Sequence, residues 1–145
     1  RKAVLRALLS GQSYACFRQP ERMLVLTEAR VSAADGGSAS LGEELEWDGT
    51  AQLGLEIAVN LEQKMAGKLP PTARLTLVID GDLVVEKALD LPARQTFLVA
   101  LSHDDLQLHY VRFQIEGDGG QIIANPIFVR KQEVPHESDA GHGSL

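Results

Sequence analysis

The sequence predicts a mainly β fold: an antiparallel β-sandwich, Ig-like or jelly-roll-like, of about seven to nine strands behind one short N-terminal helix. Three observations carry that expectation. Between residues 51 and 61, Leu53, Leu55, Ile57, Val59 and Leu61 alternate with Gly54, Glu56, Ala58 and Asn60, the period of a half-buried strand. Asp80-Gly81 and Asp118-Gly119-Gly120 stand between apolar runs, where Asp-Gly pairs tolerate the positive φ of tight hairpin turns. No helical pattern sits between the strand-like runs, so the crossovers of a parallel α/β fold are missing. With 145 residues and 44% apolar side chains, the chain is one domain's worth and able to bury a core.

In chain order, Val4, Leu5, Leu8 and Leu9 repeat at helical spacing and Gly11 follows as a stop, which predicts a helix over about residues 2–10. Arg6 interrupts the apolar stretch too early for a signal peptide. Strands are expected at 13–17, 23–32, 51–61, 75–79, 83–85, 96–101, 111–115, 121–123 and 126–130. Pro126 lacks an N–H and suits the start of an edge strand. Residues 35–50, with Gly36, Gly37, Gly42 and Gly49, read as a long loop. Residues 132–145 are rich in Pro, Gly, Ser, His and acids and read as a mobile tail. The expected organisation is 1–11 helix or linker from an upstream domain, 12–131 sandwich, 132–145 tail. The first residue is Arg1 and not Met, so the chain is expected to be part of a longer protein.

Charge is unevenly spread. The formal net charge is −6. Residues 1–30 hold six bases against Glu21 and Glu28, whereas residues 31–63 hold seven acids and no base. An acidic balance argues against a nucleic-acid partner. No apolar run approaches the roughly 18 residues of a membrane span. The single Cys16 cannot form an internal disulfide and fits a cytoplasmic or a periplasmic compartment equally, so localisation stays open.

Few residues suggest chemistry. His103, Asp104, Asp105 and His109 are the densest ligand-type cluster, of a kind that binds zinc or manganese. The plainer reading makes the two acids turn residues between strands, and the face on which His109 lies is ambiguous. His136 and His142 fall in the expected tail. Cys16 has no neighbouring Lys or His to activate it and reads as a buried, inert thiol. Ser10 and Ser13 lack a nucleophile elbow, and Gly36-Gly37 lacks the Lys-Ser/Thr of a phosphate loop. Tyr14, Phe17, Trp47 and Tyr110 suit core packing better than a sugar platform. The acid-only stretch reads as a solvated face, with calcium binding the functional alternative.

Four ordered pieces resemble one family. Ala7-Leu8-Leu9-Ser10-Gly11-Gln12-Ser13-Tyr14, Leu41-Gly42-Glu43-Glu44-Leu45 and Leu75-Thr76-Leu77-Val78-Ile79-Asp80-Gly81 come first. The closing pair is Tyr110-Val111-Arg112-Phe113-Gln114-Ile115-Glu116-Gly117 with Ile123-Ala124-Asn125-Pro126-Ile127-Phe128-Val129. Together they resemble the C-terminal β-rich domain of bacterial PHP-type metallohydrolases, the polymerase and histidinol phosphatase superfamily. The resemblance implies a non-catalytic accessory domain of a metal-dependent, phosphoesterase-like parent. That family's metal ligands, among them a His-x-His pair, lie in a preceding α/β-barrel. No His-x-His occurs in this sequence, so no catalytic or metal residue carries over and no cofactor is expected in this chain; the divalent metal is implied for the parent's catalytic domain. The implied partners are that catalytic domain and further copies of the chain. The alternative is a free-standing carbohydrate- or ligand-binding sandwich module.

Overall fold

The computed structural model describes residues 14–18, 21–63, 71–117 and 119–133. Among them are eleven strands and no helix. They are β1 (Tyr14–Arg18), β2 (Arg22–Ala33), β3 (Ser38–Ser40), β4 (Glu44–Trp47), β5 (Leu53–Gln63), β6 (Thr72–Ile79), β7 (Asp82–Asp90), β8 (Ala93–Val99), β9 (Leu108–Gly117), β10 (Gly120–Ala124) and β11 (Ile127–Lys131). Four of them form one sheet in the order β3-β2-β5-β8, and the other seven form the second sheet around β9. The β-sandwich expectation therefore holds.

Period-two alternation builds the core. The smaller sheet buries Val31 of β2, Leu53, Leu55, Ile57 and Val59 of β5, and Phe97 and Val99 of β8. The larger sheet answers with Leu75, Leu77 and Ile79 of β6, Val111, Phe113 and Ile115 of β9, Ile122 of β10, and Ile127 and Val129 of β11. Each such side chain contributes about 1.5–3 kcal/mol when fully buried. Ala58, on the outward face of β5, is buried as well. It lies between Glu28 and Arg94 in the cross-strand row, and their ion pair at 2.6 Å closes over it.

The larger sheet branches at Asn125-Pro126. β10 and β11 both pair antiparallel with the same side of β9. Ile123 faces Gln114 and Ile127 faces Val111, four residues along one strand against three along the other. That is a bulge, and it changes the outer neighbour. β10 pairs antiparallel with β1, whereas β11 pairs parallel with β4. The Pro126 carbonyl accepts from the Gly42 N–H at 2.9 Å, which anchors the switch.

Several expectations need correction. Residues 35–50 are not one loop: β3 and β4 lie within them, held by buried Ala39 and Leu45. The strand after Pro126 is no edge, because β9 and β4 flank it, and the β4 pairing makes the sandwich not wholly antiparallel. β7 runs nine residues, well beyond 83–85, because its polar Glu86 and Lys87 ride the open edge of the sheet. Lys87 binds Gln95 Oε1 at 2.8 Å and sits 5.9 Å from the centre of the Phe97 ring, which spans the seam between β7 and β8. Gln132, expected to begin a mobile tail, donates its backbone N–H to the Trp47 carbonyl at 2.7 Å. The expected helix and the rest of the tail lie outside the described residues.

Candidate functional site

The polar centre of the molecule is the β6–β7 turn and the two histidines that meet it. Asp80 and Gly81 have φ of +51° and +87°, the left-handed pair that a type I′ turn requires. The β6–β9 ladder runs to its last pair at Ile79 and Val111, which sets Asp80 beside Tyr110. Asp80 Oδ1 accepts the Tyr110 backbone N–H at 2.9 Å, and the Asp80 N–H donates to the Tyr110 carbonyl at 3.1 Å. Oδ2 lies 2.7 Å from His109 Nδ1. An ionised carboxylate only accepts, so Nδ1 carries the proton and donates.

His109 lies on the core face of β9, in line with Val111, Phe113 and Ile115, and is 1% exposed. The strand continues unbroken through it, which resolves its ambiguous side. The Trp47 ring meets it edge-on at 6.3 Å, and Trp47 Nε1 donates to the Ala51 carbonyl at 2.7 Å. A buried histidine held by a buried carboxylate is costly unless fully hydrogen-bonded. Here every buried side-chain polar atom among the described residues has a partner.

His103 reaches the same turn from outside. Its Nε2 lies 2.7 Å from Asp82 Oδ2, with both side chains well exposed. The bond to the Asp82 carboxylate holds the imidazole above its ordinary range, helped by the charges of Asp82, Asp80 and Asp105. His103, between β8 and β9, and His109, near the start of β9, thus both fasten onto one turn. Asp104 and Asp105 are exposed and join neither pair by a hydrogen bond. Among the described residues no three His, Cys, Asp or Glu side chains converge as a metal site. The four residues clustered in sequence are therefore not one cluster in space. The true partners, Asp80 and Asp82, are distant in sequence, and only the Asp-Gly turn signal pointed towards them.

The acid-only stretch is used locally. Asp48 Oδ1 accepts the N–H groups of Thr50 and Ala51 at 2.8 Å each; these bonds, that from Ala51 first, lower its pKa. Glu43 accepts the Ser40 N–H at 2.8 Å, and Asp35 the Gly37 N–H at 3.4 Å. Glu44 pairs with Arg130 at 3.1 Å. Each of these four carboxylates is turned to a donor of its own.

Of the aromatic side chains expected to pack in the core, Trp47 and Tyr14 do pack against it, partly buried. Trp47 belongs to the core edge, Tyr110 has its hydroxyl over Gly81 on the turn, and Tyr14 lines a separate open cavity of about 420 Å³ beside the β2 bulge. Leu26, Thr27, Arg30, Ser40 and Glu43 also line that cavity. Cys16 is exposed rather than buried as expected, because it sits on the outer strand β1; its Sγ lies 3.5 Å from the Leu24 carbonyl. His136 and His142, like the side chain of Phe17, lie outside what is described. Comparison of the chain with protein families, curated proteins and solved structures finds no match.

Proposed function

We propose that this chain is a non-catalytic β-sandwich module that works by contact, as an accessory domain of a PHP-type, metal-dependent phosphoesterase-like protein. The observation that carries the reading is the use of its reactive side chains. His103, His109, Asp80 and Asp82 are spent one-to-one in closing a turn, and the thiol of Cys16 is turned to a backbone carbonyl. His109 gives its Nδ1 to Asp80 and its ring to an edge-on contact with Trp47, both contacts that serve packing. The resembling pieces at 41–45, 75–81, 110–117 and 123–129 lie on or beside β4, β6, β9, β10 and β11, which neighbour one another in one sheet.

The chain is assayed with manganese and with zinc against a generic phosphate ester. No turnover above the metal alone is the expected result, and metal-dependent turnover by this chain overturns the reading. A second reading, a carbohydrate- or ligand-binding module, is favoured by the cavity of about 420 Å³, where Tyr14 stands among Thr27, Ser40, Arg30 and Glu43. A glycan array tests it: binding abolished by Tyr14→Ala supports it, and no binding counts against it.

A further inference from the structure

The two outward sheet faces are built differently. On the smaller sheet the charges satisfy one another, because Arg94 pairs with Glu28 and with Glu56, and Arg30 with Glu28. On the larger sheet the outward side chains of β9 include Arg112, Gln114 and Glu116. Neither Arg112 nor Glu116 has an ion pair among the described residues. Arg74, directly across from Glu116, turns away and pairs with Glu86 at 3.1 Å. Apolar groups surround this row: Ile123 lies beside Gln114 and Val78 beside Arg112, with Leu83 beyond Val78. Ile123 is 39% exposed and Leu83 57%. Between Thr76, Val78, Arg112, Gln114 and Ile123 the surface dips into a hollow of about 270 Å³.

We infer that this face binds a second copy of the chain, with Arg112 of each protomer against Glu116 of the other. The face is its own complement. Its free base and its free acid stand two residues either side of Gln114, about 14 Å apart along the strand. A two-fold axis lying between two facing sheets and crossing β9 at Gln114 reverses the strand direction. It sets Arg112 over Glu116 twice, Gln114 over Gln114 and Ile123 over Ile123, as an isologous interface demands. Facing sheets pack about 10 Å apart, and the hollow gives the meeting side chains room to interlock. A foreign partner would have to supply both charges at that spacing; a second copy brings them. Four strands by eight residues span roughly 500 Å², below the ~800 Å² per partner of a standard interface. The dimer is accordingly weak and concentration-dependent.

The inference rests on reading the chain as a contact module, and the experiment separates the two. Sedimentation velocity on the whole chain, from micromolar to near-millimolar concentration, is expected to show a monomer–dimer equilibrium. Arg112→Glu or Glu116→Arg alone should weaken it about tenfold or more, and the double swap R112E/E116R should restore it. A monomer at every concentration overturns the inference, as does a dimer indifferent to the single changes or not rescued by the swap. Hydrogen exchange of the unsubstituted chain needs no variant. Protection at Gln114 and Ile123 should fall on dilution, and protection independent of concentration also overturns the inference. Monomeric behaviour would leave the non-catalytic reading standing, and metal-dependent turnover would leave the dimer standing.

Discussion

His103 and His109 make the same bond to the same turn, each 2.7 Å from a carboxylate oxygen, and almost nothing else about them is alike. The side chains of His109 and Asp80 are 2% and 1% exposed; those of His103 and Asp82 are 43% and 61% exposed. Distance therefore says little about what a histidine–carboxylate contact does. In the buried pair each partner is a polar group that the core tolerates only because the other is present. In the exposed pair water solvates whichever partner is left alone.

The strongest way to test that contrast is to break the buried pair. His109→Ala or Asp80→Ala should cost about 3–5 kcal/mol, the loss seen when one member of a buried pair is removed, against a total stability of about 5–15 kcal/mol. Urea unfolding followed by circular dichroism measures it. The double variant D80A/H109A should lose clearly less than the sum of the single losses; strict additivity would show that the two side chains do not depend on each other.

A smaller loss should follow Trp47→Phe. It removes the indole donor to the Ala51 carbonyl and keeps a ring beside His109. One net hydrogen bond is worth about 1 kcal/mol. The same unfolding measurement reads it, and the His109 ring resonances should stay in place.

The smallest effect on stability belongs to the exposed pair, which is seen best by pH. His103 titrates from an ordinary value of 6.5 that the Asp82 bond raises. A raised folded value means that the contribution is fully present below about pH 6.5 and is lost as pH rises through the folded value. Histidine resonances followed by NMR should give His103 a midpoint above 6.5, and Asp82→Asn should lower it. Asp82→Asn should lower stability only slightly, by less than Trp47→Phe does, while hydrogen exchange speeds up at Leu106, whose N–H donates to the His103 carbonyl. A large drop in stability would show that exposure is a poor guide here.

The two pairs also show what a linear reading reaches. The alternation of Leu53, Leu55, Ile57 and Val59 marks β5 because one face of a sheet meets one core, and Asp80-Gly81 marks its turn because few residue pairs accept its φ values. β3 and β4 escaped notice since each buries a single main anchor, Ala39 or Leu45, which is too little to make a period. The candidate site was half legible. His103 and His109 stood out by residue type, but Asp104 and Asp105 drew attention by being adjacent. Asp80, twenty-nine residues before His109 in sequence, is its partner only because β6 and β9 pair. Proximity made by a ladder leaves no trace in local spacing.

The branch at Asn125-Pro126 has a kinetic consequence. The β6–β7 and β9–β10 turns are local and can close within about 1–10 μs, as hairpins do. The two outer neighbours that the branch accommodates cannot. Glu44 of β4 meets Arg130 of β11 across 86 residues of chain, and β1 must find β10 across a still longer loop. Both closures need β10 and β11 already seated on β9, so they should come late and set the pace, in the millisecond-to-second range of sandwiches rich in distant contacts. Trp47, on β4, reports one of these closures directly: its fluorescence in stopped-flow refolding should change in the slowest phase, and a change complete in the fastest phase would reverse the order of assembly.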